Sequence, residues 1–172
     1  MEMTTKKYSA KEILSNKTNM TAWLFGNVLH KVLKEQYKDV TLTPSVMESD
    51  FIKAVYKGKS WKKDYGQHLR MSIKSPVFII DVNALTEKTI DLFSIVVKDE
   101  FKKQGIGSKL LATMVSLADN LGNDISLVPV AINSTNNIKQ AEKAAQWLRD
   151  WYSSYEFSKD KDSPEMIYHA NF

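Results

Sequence analysis

Residues 96–111 read VVKDEFKKQGIGSKLL. A β-branched run ends, two glycines follow, and an apolar pattern of helical spacing begins. The free N–H groups and positive dipole end of a helix N-terminus attract anions. Glycines at 105 and 107 let the backbone approach a ligand with no Cβ between them. Lys102, Lys103 and Lys109 add positive charge. The segment suits a phosphate or pyrophosphate cradle; a purely structural tight turn is its other reading. Spacing excludes two familiar phosphate loops. No G-x-x-x-x-G-K-[ST] occurs. A dinucleotide fingerprint would need glycine where Leu110 stands.

Little else along the chain carries chemistry by type and spacing. The absence of cysteine removes a disulfide framework, a thiolate zinc site and a cysteine nucleophile together. His30, His68 and His169 are not at metal-ligand spacing, so no metal site is expected. There is no G-x-S-x-G nucleophile elbow.

The elements that must position the loop follow from periodicity. Residues 20–38 read as a helix, with Trp23, Leu24, Val28, Val32 and Leu33 on one stripe and Thr21 or Asn19 as cap. A second helix is expected from Pro44-Ser45 through Val46, Met47, Phe51, Ile52 and Val55, stopping at Gly58. Residues 59–73 read as helix, loop or both. Residues 76–82 and 90–97 read as strands, the second inside a sheet covered on both faces. A helix follows the glycines, with Gly122 at its C-terminal cap. Residues 125–132 form a third strand, and Pro129 marks an edge, a bulge or a splay. A helix over 137–155 and a strand over 165–172 complete the pattern. The order predicts one α/β (α+β) domain over residues 1–172: a helical region, 1–75, then a core, 76–172.

At 172 residues, with 43% hydrophobic and 26% charged, the chain is long enough for its own core. Residues 1–74 hold 14 Lys/Arg against 7 Asp/Glu, while 75–172 hold 10 against 13. A basic front half steers anions or makes a solvated face. All but two of the 24 basic residues are lysine, which does not favour specific base or phosphate recognition, so nucleic acid is not the preferred partner. No membrane span or apolar leader is seen, and the expectation is a cytoplasmic protein. The aromatics Trp23, Phe25, Phe51, Tyr56 and Trp61 are compatible with a homodimer interface and equally with a core.

Lys102-Lys103-Gln104-Gly105-Ile106-Gly107 resembles the R/Q-x-x-G-x-G/A signature of the GNAT N-acetyltransferase superfamily. The context matches: a hydrophobic strand, Glu100-Phe101, the loop, then a helix opening Ser108-Lys109-Leu110-Leu111. The likeness is good over about residues 77–132 and weaker over 137–172. Lys102 stands where the family prefers Arg or Gln; it keeps the charge and loses the planar fork.

The resemblance implies a mixed, mostly antiparallel sheet, splayed at an acetyl-CoA groove and flanked by helices. It implies that residues 102–109 grip the pyrophosphate, and that Ile95, Val96 and Val97 pair with the cofactor's amide arm. Asn133 falls near the asparagine the family often places after its third strand. Leu148–Phe157 is similar to the family's LYxxxGF segment, which puts Tyr152 near the departing thiol as proton donor, with Glu156 in the glycine's place. Asp91, 14 residues before Gly105, matches the offset of a Glu that acts as base in the histone-acetylating branch. The implied activity is direct transfer of acetyl from acetyl-CoA to an amine of a small molecule or protein. Two alternatives remain: a catalytically weak module of this fold acting by protein binding, and toxin-like acetylation of aminoacyl-tRNA.

Overall fold

A computed structural model describes residues 4–6, 9, 11–12, 15–130 and 138–171. In chain order its elements are β1 (Thr4–Lys6), α1 (Lys17–Gln36), β2 (Thr41–Ser49), β3 (Phe51–Tyr56), β4 (Lys59–Asp64) and β5 (His68–Lys74). Then come β6 (Phe78–Ala84), β7 (Thr89–Val97), a 3-10 turn (Asp99–Phe101), α2 (Ile106–Leu121) and β8 (Asp124–Leu127). The chain continues through α3 (Ile138–Ser153), β9 (Ser158–Lys159) and β10 (Met166–Tyr168). Eight strands form one sheet in the order β1-β2-β5-β6-β7-β8-β10-β9. Every neighbouring pair is antiparallel except β7 and β8. β3 and β4 make a separate hairpin. The architecture is α/β with a mixed, mostly antiparallel sheet, as expected. Among the described residues no helix is long and apolar enough to cross a membrane.

α1 buries Ala22, Phe25, Leu29 and Leu33, a stripe at helical spacing. Its cap is Asn16, not Thr21 or Asn19: the Asn16 side chain accepts from the Asn19 amide at 3.1 Å. Gly26 lies on the same buried face. A Cβ added there would sit 2.7 Å from the Met71 Cβ, so only glycine lets α1 press onto β5.

The helix expected from Pro44 to Gly58 is not one; residues 41–74 are strands β2 to β5. The apolar residues between 46 and 55 satisfy either period. Lys57 and Gly58 both take positive φ (52° and 76°), the geometry of a tight hairpin turn rather than a helix stop. Among the described residues β1 pairs with β2 only from Val46, so no described strand lies beside Pro44 on that side. Of the aromatics open to core or dimer, Phe25 is core and Trp23 packs against it, while Phe51, Tyr56 and Trp61 are half-buried on the hairpin.

The sheet's two faces differ. Met71, Ile73, Ile80, Val82, Ile90 and Leu92 form an apolar layer with α1 and α2. The alternate residues Arg70, Ser72, Asp81, Asn83 and Asp91 form a polar face. There Asp81 accepts from Ser72 and, at 2.8 Å, from Ser94. β8 stops at Leu127, short of the expected residue 132, and Pro129 lies just past its end.

Glu156 adopts the left-handed conformation (φ 69°) that glycine prefers. The Phe157 amide reaches back to the Tyr152 carbonyl at 3.3 Å, closing α3 as a glycine would. Glu156→Gly is therefore expected to raise unfolding stability by about 1 kcal/mol in urea titration. Gly26→Ala should do the reverse. Better helix propensity offers about 1 kcal/mol, but overpacking against Met71 costs about 1–3 kcal/mol. The net cost of up to about 2 kcal/mol corresponds to a fall in Tm of up to roughly 8 °C by calorimetry.

Candidate active site

β7 and β8 pair in parallel only from Thr89–Asp124 to Leu92–Leu127. Beyond Leu92, β8 has ended, while β6 still holds the other edge of β7 out to Val97. The sheet thus parts beside Phe93–Val97 and leaves one backbone edge of Ile95, Val96 and Val97 without a described strand. This is the splay the sequence leads one to expect. It explains why β7 is buried over Ile90–Leu92 and only half-buried over Phe93–Val97.

The chain leaves β7 through the 3-10 turn and reaches α2 by a loop held in left-handed conformations at Lys103 (φ 64°) and Gly105 (φ 77°). Gly105 is the N-cap of α2. The amides of Ile106, Gly107 and Ser108 lie in the first turn, where no intrahelical acceptor exists. No acidic residue stands in that turn. A Cβ on Gly105 would meet nothing within 4 Å, so the loop faces open space. At Gly107 a Cβ would make ordinary contact, 3.8 Å, with Trp151 and Val97. Lys102, Lys103, Gln104 and Lys109 are exposed around the loop. Lys102 is bonded to Asp99 at 2.7 Å, which holds that carboxyl below its usual range. These residues fit an anionic group such as a pyrophosphate.

α3 closes the other side of the loop. The Trp151 indole N–H donates to the Ser108 hydroxyl at 3.4 Å, and the Tyr155 hydroxyl donates to the Ser108 carbonyl at 3.3 Å. Trp147, 65% exposed, stacks on Trp151 with ring centroids 6.3 Å apart. Tyr152 is buried against the Trp151 and Phe157 rings, and burial pushes its hydroxyl pKa up. Asn133 lies outside the described residues.

Asp91 sits where β7 and β8 are still paired, two residues short of the parting, and is 1% exposed. It accepts from the Asn83 amide at 3.3 Å through Oδ2, while Oδ1 has no hydrogen-bond partner. Burial is the largest influence on this carboxyl and Glu165 adds to it; Lys63, Asn83 and Arg70 oppose. The result is a pKa of about 7.

Around Asp91 the polar face forms a connected group. Arg70 Nε donates to Asn83 Oδ1 at 3.3 Å, and the guanidinium pairs with buried Asp50. It also lies 3.8 Å from the centre of the Phe93 ring. Tyr65 packs edge-on against Phe93, and burial followed by the charge of Asp91 pushes its hydroxyl pKa up. Burial holds the His68 pKa down, and its Nδ1–H donates to the Gly66 carbonyl at 3.0 Å. The 3.7 Å approach of its Nε2 to Asp50 is therefore not an ion pair at neutral pH. Lys63 of β4 pairs with Glu165 at 2.8 Å beside this group. Sequence reasoning misses Arg70, Asn83, Tyr65 and Lys63. They come from β5, β6 and the hairpin, and only strand register brings them to Asp91.

No family model matches the sequence, and no curated protein matches it. Solved structures do. The anti-CRISPR protein AcrVA5 is 25% identical over 58% of this chain and 97% of its own, with a TM-score of 0.42. Ard1 from Thermoplasma volcanium is 15% identical, with full coverage of both chains and a TM-score of 0.40. The PaiA N-acetyltransferase from Thermoplasma acidophilum, solved with coenzyme A, is 12% identical, with full coverage of both and a TM-score of 0.40. In its own sheet order, in the parting of β7 from β8 and in the left-handed glycine heading α2, the chain has the GNAT-like fold that its sequence resemblance implies.

Proposed function

We propose that the chain is an acetyl-CoA-dependent N-acetyltransferase that carries an acetyl group directly to an acceptor amine, with Asp91 as the base. What supports this reading is a buried carboxyl with one unpartnered oxygen at the root of the splay whose other end is the glycine loop, where burial raises its pKa to about 7. Acetyl-CoA would bring the thioester and its acyl group. The chain's own residues do the rest. The amides of Ile106, Gly107 and Ser108 receive the pyrophosphate, with Lys103 and Lys109 beside it. The open edge of Ile95–Val97 receives the amide arm as an added strand would. Asp91 Oδ1, with no competing donor, accepts the proton of the amine. Tyr152, held protonated by burial, is the donor to the departing thiolate. Asn83 and Arg70 fix the Asp91 carboxyl in place. No cysteine or other covalent nucleophile is required.

Thermal unfolding with and without acetyl-CoA tests the cofactor site. Saturation at 100 times the dissociation constant adds about 2.7 kcal/mol, or roughly 5–10 °C at this chain length. Gly105→Glu, which forces a side chain into a left-handed position and a negative charge before the loop, should abolish the rise. No rise in the parent protein would remove the proposal.

The base has its own signature. Asp91 must be ionised to act, so transfer to a model amine should climb with pH and level off above about 7. Asp91→Asn should lose about 10²–10⁴-fold in rate and keep the acetyl-CoA shift. Its stability should move the opposite way. The folded carboxyl binds its proton more tightly than the unfolded one, near 3.9, so the wild-type fold weakens as pH rises from about 4 through 7. Asn cannot ionise. The variant should gain on the order of 4 kcal/mol over wild type at pH 8, and the gain should vanish near pH 4. Equal stability of the two proteins at pH 8 would contradict a buried ionising group.

A further inference from the structure

A second site lies on the face of α3 turned away from the glycine loop. The β3–β4 hairpin tip approaches α3 there and leaves two adjoining hollows of about 350 and 700 Å³ that share Tyr56 and Lys57. The tip contributes Lys57 and Lys59. α3 contributes Lys139 and Lys143, one turn apart, and then Arg149. The segment around β9 adds Lys159 and Lys161. The carboxylates in the lining are Glu142 and Asp162.

The cations around Asp91 are neutralised, Arg70 by Asp50 and Lys63 by Glu165. Six of the cleft's described cations are in no ion pair. Among the described residues, Lys59, Lys143, Lys159 and Lys161 are in no ion pair; Lys57 donates to the Lys161 carbonyl, and Arg149 to the neutral Gln146 amide. Unpaired like charges facing one hollow repel, and the fold does not need them for its core. They suit a polyanion that arrives from outside.

We propose that this cleft binds a single-stranded nucleic acid by its phosphodiester backbone. Tyr56 and Trp61, half-buried in the lining, offer rings on which bases stack, which an acidic peptide would not use. Lysine places a point charge on a phosphate, whereas base-specific recognition calls for the planar fork. The cleft shares no residue with the glycine loop, so the inference stands apart from the acetyl-transfer reading.

Fluorescence anisotropy of a labelled single-stranded 20-nucleotide RNA, and of DNA of the same sequence, tests it between 50 and 300 mM salt. Binding is expected with a steep salt dependence, a log–log slope of about −3 for four or five phosphates. The triple variant Lys57→Glu, Lys143→Glu, Lys159→Glu, checked for unchanged thermal unfolding, should weaken it by at least about tenfold. Trp61→Ala should weaken it about fivefold or more. Gly105→Glu should bind as the parent does, which separates failure of this site from failure of the cofactor site. Equal affinity for RNA and DNA identifies the shared backbone as the ligand, and a preference adds a contact to the sugar; both support the cleft. The proposal is overturned by absence of binding at 50 mM salt, or by a triple variant that binds like the parent. It is equally overturned if polyglutamate competes at equal charge while Trp61→Ala changes nothing.

Discussion

A carboxylate buried without a counter-ion in contact is costly, and the fold is arranged around that cost at Asp91. The side chain is held by one amide hydrogen bond from Asn83 and by the more distant charges of Lys63 and Arg70. Those influences oppose burial without cancelling it, which leaves the group near its midpoint at neutral pH. A direct ion pair would have pulled the pKa down and removed the basicity. The nearest guanidinium is spent elsewhere, on Asp50 and on the Phe93 ring. The arrangement fits the proposed role of base, and fits poorly as a stabilising device.

The strand that carries Asp91 serves both faces of the sheet. Ile90 and Leu92 are locked into the apolar layer under α1 and α2, which fixes the backbone on either side of the carboxyl. Gly26 brings α1 down to contact with Met71, so that layer is close-packed. Past Leu92 the same strand loses β8 and becomes the wall of an opening. A few residues therefore separate a rigid, two-sided core from an accessible edge. The glycine loop returns the chain to that edge, with Gly107 close to Val97 and Trp151.

Local features were legible in the sequence, and non-local ones were not. The glycine loop, α2 and its glycine cap are written in contiguous residues, and they stand as expected. The parting of β7 from β8 followed from Pro129 and the resemblance. The β3–β4 hairpin was misread because Val46, Met47, Phe51, Ile52 and Val55 satisfy a helical period. A left-handed Gly58 closes a helix or a hairpin equally well. That error hid Tyr65 and Lys63 from the site, since both depend on the hairpin folding back over the polar face. Asp91 could be picked out by its offset from the glycines. Its burial could not, because it depends on the register Asn83–Asp91–Ser126 across three strands. Glu156 shows a limit of another kind. The residue departs from the motif, yet the backbone keeps the motif's left-handed turn.

The ionisation of Asp91 can be observed directly. Carboxyl-carbon NMR on selectively labelled protein would follow the ionisation of Asp91 from pH 4 to pH 9, with Asp91→Asn supplying the assignment. A midpoint near 7 is expected. A midpoint near 4, the value of a solvated aspartate, would contradict it and leave the splay without its base.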